Sequence, residues 1–116
     1  MDGIRETEKY YCEYIFLGVP RNAFWYFLKF KVKKGFSPTL YTEKISITLQ
    51  LAGLVKFIKA TELECDRVAL DILIRHAQFS KSKRITLVPS PDFDEFVKRN
   101  KEQLEALFLI KKAEEL

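Results

Sequence analysis

The sequence is short of the residue types on which most catalytic and metal sites depend. It contains one histidine, His76, two cysteines, Cys12 and Cys65, and four glycines that all stand alone. One histidine cannot build a histidine-rich metal site, and isolated glycines exclude a glycine-rich phosphate loop. Two cysteines so far apart exclude a disulfide framework. We therefore expect no enzymatic activity, no cofactor and no metal site.

The remaining candidates for acid–base chemistry are His76 and two pairs of carboxylates. Glu62 and Glu64 open one predicted helix, and Asp92 and Asp94 open another. The helix dipole favours negative charge at such positions. A general acid also needs a buried carboxyl group, and neither pair has the apolar neighbours that would bury one. His76 lies within the apolar arc of its predicted helix, so we interpret it as a core or interface residue.

Long apolar segments are absent as well. No run approaches the roughly 18 residues of a membrane span, and the first residues lack the apolar centre of a secretory signal. We expect a cytoplasmic, intracellular protein without a membrane partner. Asparagine and glutamine total five against fourteen lysines, a skew that is typical of proteins from hot environments.

What the chain does contain is typical of one folded domain. It has 116 residues, of which 47% are hydrophobic and 31% are charged. This size supports one buried core and not two, and the composition is that of globular rather than disordered proteins. We expect a single domain over residues 1–116, with residues 1–8 flexible.

The hydrophobic pattern predicts four strands, a helix, a fifth strand and a second helix. The period of the apolar residues and the turn residues between them place these elements, in order, at 10–17, 23–33, 44–51, 54–59, 62–79, 83–89 and from Pro91 onward. A helix at 54–59 is the alternative to the fourth strand, because six residues do not separate the two periods. The predicted fold class is α+β, a mainly antiparallel sheet in the order β-β-β-β-α-β-α with two helices packed on one face.

Positive charge and aromatic rings are concentrated in the first half of the chain. Residues 14–61 hold eight basic residues and one acidic residue, Glu43, and eleven of the sixteen aromatic residues lie between Tyr10 and Tyr41. Proteins that bind nucleic acid combine cationic and aromatic side chains on one surface. This asymmetry favours nucleic acid as the partner.

Within the predicted strand 23–33, one face carries rings followed by ammonium groups at every second position. The residues predicted to bind nucleic acid are Trp25, Phe27, Lys29, Lys31, Lys33, Lys34, Lys56 and Lys59. The alternative is structural, because lysines also protect an edge strand from unwanted pairing and the two rings can lie beneath a helix. The solvent exposure of Trp25 and Phe27 distinguishes the two interpretations.

The last predicted helix suggests an interface between copies of the chain. Leu107, Phe108, Leu109 and Ile110 place apolar side chains almost all round it. Such a helix has to be covered on more than one side. We expect a homodimer that packs through these residues.

The leading hypothesis is a small non-enzymatic protein that binds DNA or RNA through a basic, aromatic sheet surface. One alternative is a protein–protein assembly subunit, a homodimer or scaffold, with no nucleic-acid role. Another is a carrier of an apolar small ligand held between sheet and helices.

Overall fold

Strands and helices alternate along residues 12–116, the part of the chain that the computed structural model describes. The strands are β1 (Cys12–Leu17), β2 (Thr39–Thr42), β3 (Lys56–Lys59), β4 (Arg84–Pro89) and β5 (Leu109–Ile110). The α-helices are α1 (Ala23–Lys34), α2 (Ile47–Leu51), α3 (Asp66–Phe79), α4 (Asp94–Arg99) and α5 (Lys101–Leu107). Short 3-10 helices at Pro91–Phe93 and Ala113–Glu115 precede α4 and follow β5. The expectation for residues 1–8 lies outside the described residues.

The strands form one sheet in the order β3-β2-β1-β4-β5, and every neighbouring pair is parallel. At the centre, Ile15 of β1 lies between Thr39 of β2 and Leu87 of β4. The prediction of a mainly antiparallel sheet is therefore wrong, although the chain does combine helices with a sheet. Parallel neighbours need a crossover between them, and residues predicted as strands form two of these crossovers.

The largest error concerns residues 23–33, which form helix α1 and not a strand. Its buried residues, Phe27 and Phe30, are three positions apart, which is a helical spacing. Gly35 ends the helix at φ 85°, and its N–H bonds to the carbonyl of Lys31. This is a common helix terminus, and lysines in the last turn suit the helix dipole.

The other predicted elements are partly confirmed. Residues 47–51 form helix α2, whose first turn is capped by the side chain of Ser46, instead of the predicted strand 44–51. The strand interpretation of 54–59 is confirmed by β3, which is parallel to its neighbour and is not part of a hairpin. The described part of strand 10–17 and the strand at 83–89 correspond to β1 and β4, and the predicted helix 62–79 begins at Asp66.

Helices cover both faces of the sheet. Ile15 and Phe16 of β1 point to opposite faces, as successive strand residues do. The face of Ile15 packs against α3 and α5 through Leu73 and Leu104, while the face of Phe16 packs against α1 through Phe27. The prediction of two helices on one face is therefore wrong, and neither face of the sheet is open to a polymer.

The chain leaves the two central strands toward opposite faces. After β1 it enters α1 on one side of the sheet, and after β4 it enters α4 on the other. In an open parallel sheet, the loops separate at such a point and leave a crevice outside the carboxyl ends of the two strands. This is the position at which parallel sheets of this kind bind their ligands.

Candidate functional site

A cavity of about 490 Å³ lies at the carboxyl ends of β1 and β4. We call it the switch-point crevice. Its walls come from the loop after β1, the loop after β4 and the segment after β5, and the residues that matter below are Gly18, Arg21, Ser90, Asp94, Lys112 and Glu114. Strand order thus brings together three parts of the chain that are far apart in sequence.

Ser90 lines this crevice and carries a buried, unpaired hydroxyl group. Its N–H donates to the carbonyl of Leu17 and its carbonyl accepts from the N–H of Phe93, so the backbone is satisfied. The residue is 5% exposed, yet its Oγ has no hydrogen-bond partner among residues 12–116. Buried polar groups without a partner are uncommon because each one loses its bonds to water. The Oγ atom is itself buried, so a ligand in the crevice bonds to it only when the loops around Gly18 and Phe93 shift to expose it.

Gly18 is the residue that leaves room for this hydroxyl. Its φ is 82°, a left-handed conformation, and its N–H donates to the carbonyl of Tyr41 at 2.9 Å. A Cβ at this position would collide with Ser90 Oγ and lie 2.8 Å from the ring of Phe93. Glycine here serves both the turn and the close approach of the two loops.

Four charged side chains border the crevice, two of each sign. Arg21 stands on the β1 side and Asp94 on the β4 side, while Lys112 and Glu114 belong to the segment after β5. Among the residues that the structure describes, none of the four side chains takes part in an ion pair. They are exposed, so their charges act mainly at the mouth of the crevice.

Residues 111–116, which we call the closing segment, cross from β5 to the side of α1. The hydroxyl of Tyr26 donates to the carbonyl of Ala113 at 2.7 Å, and Lys33 Nζ donates to the main-chain oxygen of Leu116 at 2.6 Å. Ala113 and Leu116 also pack on the core of that face. The closing segment is thereby held over one side of the crevice.

Burial raises the pKa of Tyr26 to about 12, and the negative charge of Glu114 contributes to the rise. The phenol therefore stays protonated at neutral pH and continues to donate to Ala113. The anchor of the closing segment does not titrate in the physiological range.

The residues predicted to bind nucleic acid are divided by the helical geometry of α1. Trp25 is 65% exposed, and Lys29 and Lys33 follow it at four-residue steps on the outer face, where residues i and i+4 are neighbours. Phe27 is 0% exposed and belongs to the core, so its assignment to a binding surface is wrong. A strand would place Trp25 and Phe27 on the same face, whereas the helix places them on different faces.

The other predicted lysines lie in several places. Lys31 Nζ reaches the carbonyl of Gly53 at 3.5 Å, and Lys34 Nζ stands 5.3 Å from the centre of the Tyr14 ring. Lys56 and Lys59 are exposed on the edge strand β3. The structure therefore does not gather the eight predicted residues on one sheet face.

The apolar run 107–110 does not continue the last helix. Helix α5 ends at Leu107, and Leu109 and Ile110 form the short edge strand β5. Phe108 is buried in the core of its own chain, while Leu107 and Leu109 are 41% and 46% exposed. Only part of the predicted dimer surface is therefore available to a partner.

A polar network that the sequence did not indicate connects β1, β2 and the end of α3. His76 Nε2 bonds to a Glu13 carboxylate oxygen at 2.7 Å, and His76 Nδ1 bonds to the hydroxyl of Tyr41 at 2.6 Å. Ser80 donates to the other Glu13 oxygen at 2.6 Å. His76 and Glu13 are 63 positions apart in the chain, so no local pattern could have paired them.

The charge of Glu13 sets the direction of these hydrogen bonds. Burial alone would raise the pKa of Glu13, but the hydrogen bonds from His76 and Ser80 outweigh it, and the pKa lies below its usual value. The ionised carboxylate can only accept, so His76 Nε2 donates to it, and in a neutral imidazole Nδ1 then accepts from the Tyr41 hydroxyl. Burial and the nearby Glu13 charge raise the pKa of Tyr41, so this phenol remains a donor.

Three further observations concern metal ions, membranes and similar proteins. Within residues 12–116, no group of three histidine, cysteine or acidic side chains could hold a metal ion. No helix in that range is both long and apolar enough to cross a membrane. Neither a family model, nor a curated protein, nor a solved structure matches the chain.

Proposed function

We propose that the protein binds a small polar molecule in the switch-point crevice, without catalysing a reaction on it. The observation that carries this proposal is the buried, unpaired hydroxyl of Ser90 in the crevice wall. A volume of about 490 Å³ is within the range of small-molecule sites, roughly 300–1,000 Å³. The position at the reversal of strand order supports the same conclusion.

A ligand atom that bonds to Ser90 Oγ would remove the cost of leaving this group unpaired. That cost is about 1–3 kcal/mol for a buried polar group. Gly18 supports the proposal because any larger residue there would collide with the hydroxyl. The crevice wall thus contains a polar group that the protein itself leaves unpaired.

The test is a binding screen of a chemically diverse set of small metabolites, followed by calorimetry on wild type and Ser90→Ala. We expect at least one ligand whose affinity falls about tenfold in Ser90→Ala, as the loss of one hydrogen bond implies. Ser82→Ala is the matched control, because Ser82 lies before β4, away from the crevice. The proposal fails if no metabolite binds, or if the affinity is the same in Ser90→Ala as in wild type.

A second candidate function is nucleic-acid binding through the outer face of α1. It is favoured by the exposure of Trp25 beside Lys29 and Lys33, and by the absence of acidic residues from α1. A base stacked on an aromatic ring gains roughly 1–3 kcal/mol, and lysines attract phosphates in a salt-dependent way. The sheet plays no part in this version of the hypothesis, because helices cover both of its faces.

Fluorescence anisotropy with labelled single- and double-stranded oligonucleotides at two salt concentrations tests this candidate. We expect weaker binding at higher salt and a loss of binding in Trp25→Ala and in Lys29→Glu with Lys33→Glu. Phe79→Ala is the control, since Phe79 is an even more exposed ring (83%) on α3, across the sheet. Equal losses in Phe79→Ala and Trp25→Ala, or no binding at low salt, would rule out this surface.

A further inference from the structure

We infer that the ligand of the switch-point crevice is a small zwitterion, a molecule that carries one ammonium group and one carboxylate. This inference rests on the proposed function of the crevice and names the chemical class of its ligand. Four charged side chains at the mouth of the crevice support it. Two are positive and two are negative, and none has an ion-pair partner in residues 12–116.

We call the side of the crevice next to β1 the β1 bank and the side next to β4 the β4 bank. These two sides carry side chains of opposite charge. Arg21 follows β1, and Asp94 follows β4 at the start of α4. A guanidinium group pairs with a carboxylate through two parallel hydrogen bonds, and a carboxylate accepts from an ammonium group. The ligand carboxylate is therefore placed toward the β1 bank and its ammonium group toward the β4 bank.

The closing segment repeats this pairing of signs on the third wall. It contributes one cation, Lys112, and one anion, Glu114. A ligand with charge of a single sign would be attracted by two of the four side chains and repelled by the other two. A zwitterion presents one group of each sign, so it pairs with a cation and an anion of the crevice at the same time.

A phosphate-bearing ligand fits the crevice less well. Phosphates in parallel sheets are usually held by backbone N–H groups of a glycine-rich loop at a helix N-terminus. Here the loop after β1 contains Pro20 in the crevice wall, and proline has no N–H to donate. A phosphate would also place two negative charges near Asp94 and Glu114.

The inference is tested with the twenty standard amino acids and two analogues of each amino acid that binds. The carboxamide analogue keeps only the ammonium group, and the N-acetyl analogue keeps only the carboxylate. Binding is measured by ligand-observed NMR and calorimetry. We expect at least one amino acid to bind and both of its analogues to bind at least tenfold more weakly.

Variants of the two banks give the second part of the test. Arg21→Gln and Asp94→Asn should each weaken amino-acid binding at least tenfold, with Asp94→Asn affecting the carboxamide more than the N-acetyl analogue. Asp92→Asn is the matched control, because Asp92 is exposed and close in sequence but does not line the crevice. Circular dichroism checks that each variant is folded.

The outcomes separate this inference from the proposed function. If a nucleoside monophosphate or a sugar binds in a Ser90-dependent way and no amino acid does, the zwitterion is wrong and the binding function stands. Equal weakening by Asp92→Asn and Asp94→Asn also overturns the inference. If no small molecule binds at all, both fail together.

Discussion

Gly18 and Ser90 are matched to each other across the two central loops. Gly18 has a left-handed backbone, and the space that a Cβ would occupy there is taken by the Ser90 hydroxyl. A side chain at position 18 would therefore displace the group that we assign to ligand binding. Because Gly18 has no Cβ, the loop can adopt its left-handed conformation and the Ser90 hydroxyl has room beside it.

The Glu13 carboxylate gives the molecule a pH dependence. Its pKa in the folded protein lies below the usual value of 4.5, because His76 and Ser80 bond to the ionised form. A lowered folded-state pKa means that the unfolded chain binds the proton more tightly. The stabilisation is therefore present above pH 4.5 and is lost as the pH falls through the lower folded-state pKa.

We predict that Glu13→Gln lowers the free energy of unfolding at pH 7 by about 1.5–3 kcal/mol, the range for hydrogen bonds to a charged group. The difference from wild type should shrink as the pH falls from 4.5 through the lower folded-state pKa, because the carboxyl group becomes protonated first in the unfolded chain and then in the folded protein. Urea denaturation at several pH values measures both effects. Glu43→Gln, at an exposed position, should show neither effect, and a pH-independent difference for Glu13→Gln would contradict the prediction.

Helix α1 is the element in which local preference and final structure disagree most. Its five aromatic residues and Val32 favour strands, and from Leu28 to Lys33 apolar residues alternate with lysines at a period of two. The helix forms because Phe27 and Phe30 pack into the core around Phe16. Gly35 after three lysines was the one local signal for a helix end.

At the scale of this element, Gly35→Ala should destabilise the protein. Gly35 adopts φ 85° and closes α1 by bonding to Lys31, and a Cβ in the left-handed region costs roughly 1–2 kcal/mol. Thermal and urea denaturation should both show this loss. Gly35→Asn should lose less, because asparagine tolerates this conformation; equal losses in the two variants would argue against the cap as the cause.

At the scale of the whole molecule, the central strands could be predicted and the order of strands could not. The described part of β1 and most of β4 are apolar on both faces, which is typical of strands in a parallel sheet covered on both sides. The crossovers through α1 and α2 were hidden because residues 23–33 and 44–51 both alternate with a period of two. Since the switch-point crevice exists only through strand order, Ser90 could not be recognised as part of a site.

The dimer hypothesis also concerns the whole molecule. Because Phe108 is buried, the surface that remains for a dimer is the edge of the sheet at β5. Among residues 12–116, this two-residue strand has a neighbouring strand on one side only, and Leu107 and Leu109 are exposed beside its other edge. Sheet edges with apolar side chains tend to pair with another chain.

We therefore predict a dimer by light scattering at high micromolar concentration, and a monomer for Leu109→Glu. Leu51→Glu alters a more exposed leucine (80%) on α2 and should leave the dimer intact. A wild-type monomer at that concentration would remove this interface, and dissociation by both variants would place it elsewhere.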